Sequence, residues 1–192
     1  MPRASAADAA RTARKILASA TDLLAARGFA QVSLDDVARV AGVTRGAVYH
    51  HYGSKAGLFR AVASRLQSDV AEAVVVAAQR AGADPRAQLR AGSHAFLDAI
   101  TAAPAVRVLL IDAPAVFGWE QWRQLDAENS AVHLRTALAD VGVPAELLDA
   151  TAAQLSGAMN EAALWIAQQP QGAEAREAAH RVLDRVLTAA VA

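Results

Sequence analysis

Residues 33–55, SLDDVARVAGVTRGAVYHHYGSK, constrain the fold more than any other stretch of this 192-residue chain. Ser33 stands where a helix N-cap is wanted, and Asp36 places a negative charge near the positive end of that helix. Gly42 follows the last apolar residue, at the position where a left-handed helix end favours glycine. Thr44 then predicts the N-cap of a second short helix. The stretch therefore predicts a helix-turn-helix, followed at once by the start of a third helix.

The second helix of this motif offers few residues to a core. Val48 and Tyr52, four residues apart, are expected to face inward. The outward-facing residues of this helix suit insertion into a DNA major groove, because arginine pairs with guanine edges and small residues let the backbone approach the DNA. A solvated surface helix would more often carry Glu and Lys. With the caps and the start of the next helix, the predicted DNA-binding residues are Ser33, Thr44, Arg45, Gly46, Ala47, Tyr49, His50, His51 and Lys55.

Over residues 16–66 the chain resembles the tetracycline-repressor (TetR) family. The matching pieces are ILASATDLLAARGF and VSLDDVARVAGVTRGAVYHHYGSKAGLF, which follow the family's Ile-Ala-x-x-Ala-Gly-Val core and its Lys-x-x-Leu segment. Val37 and Tyr52 depart mildly, since Ile and Phe are usual there. The resemblance implies an all-α fold. It has an N-terminal three-helix helix-turn-helix domain for DNA and a C-terminal domain of about six helices for ligand binding and dimerisation.

Charge divides the chain where the motif ends. Residues 1–66 hold ten Lys or Arg and four Asp or Glu, a net charge of +6. Residues 67–192 hold nine Arg and fifteen Asp or Glu, a net charge of −6. A basic head on an acidic body is typical of a DNA-binding domain joined to a domain that does not bind DNA.

We expect three parts along the chain. Residues 1–10 should form a flexible arm, residues 11–54 the helix-turn-helix domain, and residues 55–192 the ligand-binding and dimerisation domain. A long helix over residues 55–80 should link the two domains, because Pro85 and the residues before it break the helical pattern.

Two apolar helices are expected near the end of the chain, over residues 144–168 and 173–191. Both carry more apolar surface than one buried stripe needs. In the family that the chain resembles, this pair forms a four-helix bundle with the same pair of a second subunit. We therefore expect a homodimer, with Leu155 and Leu183 at its interface.

Residues 112–124, DAPAVFGWEQWRQ, gather three aromatic residues beside several charged ones. A short buried helix over residues 106–111, ending before Pro114, should precede them, and one long helix should run from about 119 to 140. The aromatic side chains have two interpretations: they fill the junction between helices, or they line a pocket, since pockets are mostly apolar with a few polar groups. The second interpretation predicts a small apolar or aromatic ligand held near Phe96, Phe117, Trp119 and Trp122.

Other classes of function find little support. The chain has no cysteine, so disulfides and thiolate metal sites are excluded. No apolar run approaches the roughly eighteen residues that span a membrane, and no signal-peptide core is present, so we expect a cytoplasmic protein without membrane contact. Zinc-protease, nucleophile-elbow, phosphate-loop and dinucleotide motifs are missing. We expect no enzyme, no cofactor and no metal site.

The sequence thus predicts a DNA-binding transcriptional regulator. The resemblance implies a homodimeric repressor that a small-molecule ligand releases from a palindromic, double-stranded DNA operator. Its two recognition helices would lie about 34–36 Å apart, one turn of DNA. Two alternatives remain: a ligand-independent regulator or activator of the same fold, and an enzyme with an appended DNA-binding head.

Overall fold

The all-α fold is confirmed by a computed structural model, which describes residues 6–126 and 132–191. A π-helical segment, Val106–Asp112, runs directly into the sixth α-helix. The α-helices are α1 (Ala6–Arg27), α2 (Leu34–Ala41), α3 (Arg45–Tyr52), α4 (Lys55–Arg80), α5 (Pro85–Thr101), α6 (Ala113–Phe117), α7 (Trp119–Asp126), α8 (Val132–Asp140), α9 (Ala145–Ala167) and α10 (Gly172–Ala190).

The first helix begins earlier than expected. It starts at Ala6, so the prediction of a flexible arm over residues 1–10 is wrong for residues 6–10, while residues 1–5 lie outside the described part. Four of these five residues are alanine, the strongest helix former. Asp8 lies in the first turn, where a negative charge stabilises the helix dipole.

The predicted helix over residues 106–111 does not end before Pro114. The π-helical segment passes into α6 with Pro114 in the first turn of that helix. Proline is tolerated there because the amides of a first turn need no intrahelical acceptor. The single helix expected over 119–140 is described as α7 and α8, and residues 127–131 between them lie outside the described residues.

Helix α4 forms the axis of the molecule, because its buried side runs from the head into the body. Helices α1 and α3 pack against it in the head, and α5 packs along it. Burial of each large apolar side chain contributes about 1.5–3 kcal/mol to folding. One continuous apolar core reaches from α1 to α10. The large apolar residues that α4 contributes to it are Leu58, Phe59, Val62, Leu66 and Val70.

The π-helical segment holds the C-terminal end of α1. The guanidinium of Arg107 donates a hydrogen bond of 3.3 Å to the Arg27 carbonyl, and the Phe29 N–H donates one of 2.9 Å to the Asp112 carboxylate. Gly28 lies between these contacts at φ +79°, and a Cβ there would lie 2.5 Å from Arg107 Nη2. Glycine therefore allows both the turn and the close approach of the body to the head.

A row of aromatic rings makes a second link between head and body. The Phe29 and Phe59 ring centroids are 4.9 Å apart, and those of Phe59 and Phe117 are 5.2 Å apart. The guanidinium carbon of Arg60 lies 5.1 Å from the Phe117 ring centroid, and Arg60 donates a hydrogen bond of 3.2 Å to the side-chain oxygen of Gln121. Phe117 thus packs α6 against the first turns of α4.

Polar residues join α5 to α10. Arg90 donates two hydrogen bonds of 2.7 Å to the Asp184 carboxylate, and His94 Nε2 lies 2.8 Å from the same group. The His94 and His180 rings stack with centroids 4.2 Å apart. The Arg90 hydrogen bonds, with a smaller effect from His94, lower the pKa of Asp184 to about 2. Burial, and then the neighbouring His94, lower the pKa of His180.

Within residues 6–126 and 132–191, no single helix is both long and apolar enough to cross a membrane. Helix α5 and the segment Val106–Phe117 meet the length and composition test only together, as a pair bent by 86°. The same ranges contain no group of three His, Asp or Glu residues that could hold a metal ion.

Replacing Asp184 with Asn should lower the free energy of unfolding at pH 7 by about 1 kcal/mol, because two charge-assisted hydrogen bonds weaken. The folded-state pKa of about 2 lies below the ordinary value of 3.8, so the carboxylate stabilises the fold above that value. This contribution disappears as pH falls from about 4 to 2. Urea denaturation at pH 7 and at pH 3 should therefore separate wild type and variant more at pH 7.

Asp149→Asn is the matched control, since its carboxylate also lies 2.7 Å from an arginine, Arg135, but is 81% exposed. Its effect should be close to zero. Equal losses in the two variants would contradict a special role for the α5–α10 cluster.

Candidate functional site

The first helix of the helix-turn-helix carries both predicted end signals. The Asp36 N–H donates to the Ser33 hydroxyl at 3.1 Å, and the Ser33 N–H donates to the Asp36 carboxylate at 3.1 Å, a complete capping box. These contacts to Ser33 lower the pKa of Asp36. Gly42 is left-handed at φ 61°, and the Val43 N–H donates to the Ala38 carbonyl at 2.9 Å. The tight turn is therefore fixed by a Schellman arrangement.

Helix α3 is anchored by few residues, as expected. The Thr44 hydroxyl accepts a hydrogen bond of 3.1 Å from the Ala47 N–H at its start. Val48 is the one buried residue of this helix. The Tyr52 hydroxyl donates a hydrogen bond of 2.8 Å to the Ala13 carbonyl in α1, and burial raises the pKa of Tyr52. Most of the other side chains of α3 face outward.

The structure brings most of the predicted DNA-binding residues onto one exposed surface. Arg45, Gly46, Tyr49 and His50 are exposed, and the Tyr49 side chain reaches 63% exposure. Ala47 and His51 are half-buried. Ser33 and Thr44 are exposed at the N-termini of α2 and α3, where their side chains serve as caps. We call the exposed residues Arg45, Gly46, Tyr49 and His50 the outer face of α3.

Two of the predicted cationic contacts have partners within the protein. Arg45 Nη1 lies 3.0 Å from the Asp35 carboxylate, but both side chains are largely exposed, so this ion pair contributes little. Lys55 is half-buried, and its ammonium donates a hydrogen bond of 3.4 Å to the Ala30 carbonyl and lies 4.3 Å from the Phe29 ring centroid. Lys55 therefore steadies the turn after α1, and its phosphate contact stays a prediction.

Sequence reasoning missed Gly57, which sets the angle between α3 and α4. A Cβ at this position would lie 2.2 Å from the Tyr52 carbonyl oxygen, a backbone atom that cannot move aside alone. The Gly57 N–H donates a hydrogen bond of 2.9 Å to the Ser54 hydroxyl, so the cap and the close approach occur in the same turn. The sequence signal was a glycine three residues after a capping serine, inside a helix that otherwise has no reason to carry one.

A cavity of about 200 Å³ lies between α4, α5, α8 and α9. Of the four aromatic residues predicted to bind a ligand, Phe96 lines it, whereas Phe117 and Trp122 do not. The side chain of Trp119 lies outside the described residues. The lining residues are Val74, Val75, Ala78, Gln79, Gln88, Leu89, Gly92, Ser93, Phe96, His133, Leu134, Thr136, Ala137, Asp140, Ser156 and Met159.

The pocket prediction needs correction for Phe117 and Trp122. Trp122 is buried, and its indole N–H donates a hydrogen bond of 2.8 Å to the Leu109 carbonyl in the π-helical segment. Phe117 packs on Phe59. Both therefore lie where helices meet, Phe117 between α6 and α4 and Trp122 between α7 and the π-helical segment, which is the other interpretation of this aromatic stretch.

The two C-terminal helices leave an apolar groove exposed. Trp165 of α9 and Val182 and Val186 of α10 are exposed beside one another along this groove of about 400 Å³. Leu155 and Leu183, expected at a dimer interface, are instead 3% and 6% exposed, because they face the core of their own chain. Any interface on these helices must use the outer residues.

Both halves of the chain match known protein families. Residues 16–62 match the family described as "Bacterial regulatory proteins, tetR family", and residues 86–190 match "Tetracyclin repressor-like, C-terminal domain". A crystal structure of a TetR-family transcriptional regulator from Pectobacterium atrosepticum is 30% identical, with a TM-score of 0.77. The alignment covers 97% of this chain and 97% of that one.

Curated relatives match chiefly at the head. The HTH-type transcriptional repressor BepR of Brucella suis is 36% identical over 77 residues, 40% of this chain and 37% of BepR. The HTH-type transcriptional activator FasR of Mycolicibacterium smegmatis is 34% identical over 86 residues, 45% of this chain and 39% of FasR. The chain spans about a third to a half of the length of the curated relatives it matches.

Gly57→Ala should destabilise the fold by about 2–3 kcal/mol, because the added methyl group meets the Tyr52 carbonyl and forces α3 away from α4. Thermal denaturation gives the loss. The matched variant is Gly46→Ala, whose Cβ has Thr44 Oγ1 as its nearest neighbour at 3.8 Å. That variant should keep or gain stability, since alanine is the better helix former. A neutral Gly57→Ala would contradict the steric role.

Proposed function

Because the chain belongs to the TetR family of transcriptional regulators, we propose that it is a homodimeric repressor that leaves a palindromic operator when a small molecule occupies the α4–α5–α8–α9 cavity. Family membership establishes a helix-turn-helix transcriptional regulator. Dimerisation, repression and ligand release are the proposed part.

The outer face of α3 is the observation that carries the DNA-binding role of these residues. A helix of eight residues with one buried side chain is held by its ends, by the Thr44 cap and by the Tyr52 hydrogen bond to α1. Its exposed side carries no carboxylate, and Gly46 leaves the backbone open to close approach. Such a surface supports insertion into the major groove, with Arg45 at its N-terminal end, where recognition helices meet bases.

Arg45 would change partners on binding. In the free protein its guanidinium pairs with Asp35, and both side chains are exposed, so the pair costs little to break. A guanine edge offers two acceptors to the same guanidinium in bidentate geometry.

The α9–α10 groove supports dimerisation. Its exposed tryptophan and two valines lie together on α9 and α10, and contiguous apolar patches of this kind mark association sites. Pairing with the same helices of a second copy would bury them in an isologous interface. Two α3 helices would then meet one face of the DNA.

Ligand release depends on α4, because this helix reaches both sites. Its first turn is fixed to α3 through Gly57, and its later residues Val74 and Ala78 line the cavity. A ligand that binds tighter to a conformation with another head spacing would shift the population toward that conformation. The change in operator affinity equals the difference in ligand affinity between the two states.

An activator of the same fold is the second candidate. It is favoured by the likeness to FasR, which is named an activator. The alignments to FasR and to the repressor BepR each cover less than half of this chain. Likeness in the head does not set the direction of regulation. A ligand-independent regulator is less favoured, because the cavity is unfilled by side chains. Transcription from a reporter carrying the operator, with and without the protein, separates repression from activation.

Arg45→Ala should weaken binding to the cognate duplex by about 1–3 kcal/mol and leave a scrambled duplex nearly unaffected, since it removes a base contact. The duplex is one selected by the wild-type protein from a random-sequence library. Anisotropy titrations at three salt concentrations measure both the affinity and its salt dependence. Loss of equal size on both duplexes would assign Arg45 to the DNA backbone instead.

Lys55→Ala is the companion variant. If Lys55 contacts a phosphate, both duplexes should weaken and the salt slope should flatten by about 0.9. If the ammonium only holds the Ala30 carbonyl and the Phe29 ring, stability falls and the slope stays unchanged.

Val182→Glu should convert the dimer into a monomer at micromolar concentration and abolish operator binding, because a buried unpaired carboxylate is costly. Light scattering after size exclusion gives the mass. Leu147→Glu is the control, since Leu147 is similarly exposed, 54% against 59%, but lies outside the groove. The proposed interface fails if both variants stay dimeric, or if wild type is a monomer.

A further inference from the structure

Ser93 is the unusual residue of the cavity wall. It lies in α5, lines the cavity, and is only 4% exposed. Within residues 6–126 and 132–191 its hydroxyl has no hydrogen-bond partner. The hydroxyl oxygen is not sealed in the core: it opens onto the cavity, where it can bond to water or to a ligand.

Several other helical hydroxyls of the chain bond to their own helix. Ser68 donates to the Ser64 carbonyl at 3.0 Å, and Thr101, in α5 itself, donates to the Leu97 carbonyl at 2.6 Å. Thr136, also on the cavity wall, donates to the Val132 carbonyl at 3.1 Å. Bonding to the carbonyl four residues back is therefore a common arrangement in this chain. Ser93 keeps its hydroxyl available instead.

The size of the cavity restricts what Ser93 can meet. A volume of about 200 Å³ is below the range of roughly 300–1,000 Å³ typical of sites for drug-sized ligands. An apolar cavity of about 150 Å³ is enough for benzene. The cavity therefore suits a molecule built on one six-membered ring.

The buried wall is suited to an aromatic ring. Leu89, Phe96 and Met159 are each 4–5% exposed and contribute apolar surface from α5 and α9. Phe96 offers a ring for offset or edge contact, and the Met159 thioether is polarisable. The residues of the wall thus favour a flat apolar ligand with one polar group placed at Ser93.

Charge restricts the ligand further. The lining residues in the described ranges include no lysine or arginine, while Asp140 and His133 stand exposed at the cavity's α8 side. A carboxylate or phosphate would lose its hydration without gaining a cationic partner. An anionic ligand is therefore disfavoured.

We propose that the cavity binds a neutral compound of one aromatic ring carrying a hydroxyl group, a phenol-class ligand, with that hydroxyl hydrogen-bonded to Ser93. This rests on the proposed ligand-responsive function and names the ligand class for its site. The ring packs on Leu89, Phe96 and Met159. The Ser93 hydroxyl, which opens onto the cavity, serves as donor or acceptor to the polar group of the ligand.

Phenol, benzene and benzoate are the probes, titrated calorimetrically into the full-length protein without DNA. Phenol should bind with a dissociation constant on the order of millimolar or tighter. Benzene should bind about five- to tenfold more weakly, since it lacks the hydrogen bond. Benzoate should not bind measurably. In Ser93→Ala, phenol should fall to the affinity of benzene, while benzene stays unchanged.

Two control variants locate the effect. Ser68→Ala removes a hydroxyl of the same kind that is already bonded within its helix and lies outside the cavity, so phenol affinity should not change. Ala78→Leu enlarges a residue of the wall and should block phenol and benzene alike. Circular dichroism checks that each variant is folded.

The proposal is overturned if phenol does not bind, if benzoate binds as well as phenol, or if Ser93→Ala and Ser68→Ala bind phenol equally. DNA titration of the same samples separates this result from the proposed function. Operator binding without phenol binding rejects the ligand class and leaves the regulator. Ser93-dependent phenol binding without any effect on operator affinity supports the ligand class and rejects ligand release.

Discussion

The contact between Gly57 and the Tyr52 carbonyl fixes the geometry on which the rest of the structure depends. Because Gly57 has no side chain, α4 can start directly against the end of α3. A Cβ at Gly57 would lie 2.2 Å from that oxygen. The close approach therefore fixes the orientation of α3 relative to α4. Seventeen residues further along α4, Val74 lines the cavity, which at the rise of an α-helix is about 25 Å away. One helix thus joins the outer face of α3 to the cavity.

The head is also held from the side. Arg107 and Asp112 bind the backbone at the end of α1, and Phe117 packs on Phe59 beside the first turns of α4. The body therefore contacts the head at two places besides α4 itself. The head is therefore joined to the body through α1 as well as through α4.

Local signals made much of the head predictable. Ser33, Gly42 and Thr44 act through neighbours within a few residues, so the caps and the turn were evident from sequence, and so was the inward position of Val48. The body was less accessible because its features depend on long-range packing. Trp122 finds its acceptor thirteen residues away in another element, and Leu183 turns inward although Val182 beside it stays outside. The cavity and the free hydroxyl of Ser93 exist only once four helices assemble.

Spin labelling offers the most direct test of the central claim, that two α3 helices are held one DNA turn apart and respond to the cavity. The chain has no cysteine, so Val40→Cys, on the exposed side of α2, places one label on each head. Double electron–electron resonance on the selected duplex should give one dominant distance of a few tens of ångströms, consistent with recognition helices about 34–36 Å apart. Saturating phenol should shift that distance as the DNA is released. A lack of dipolar coupling, or one unchanged distribution with DNA, without DNA and with ligand, would contradict the account.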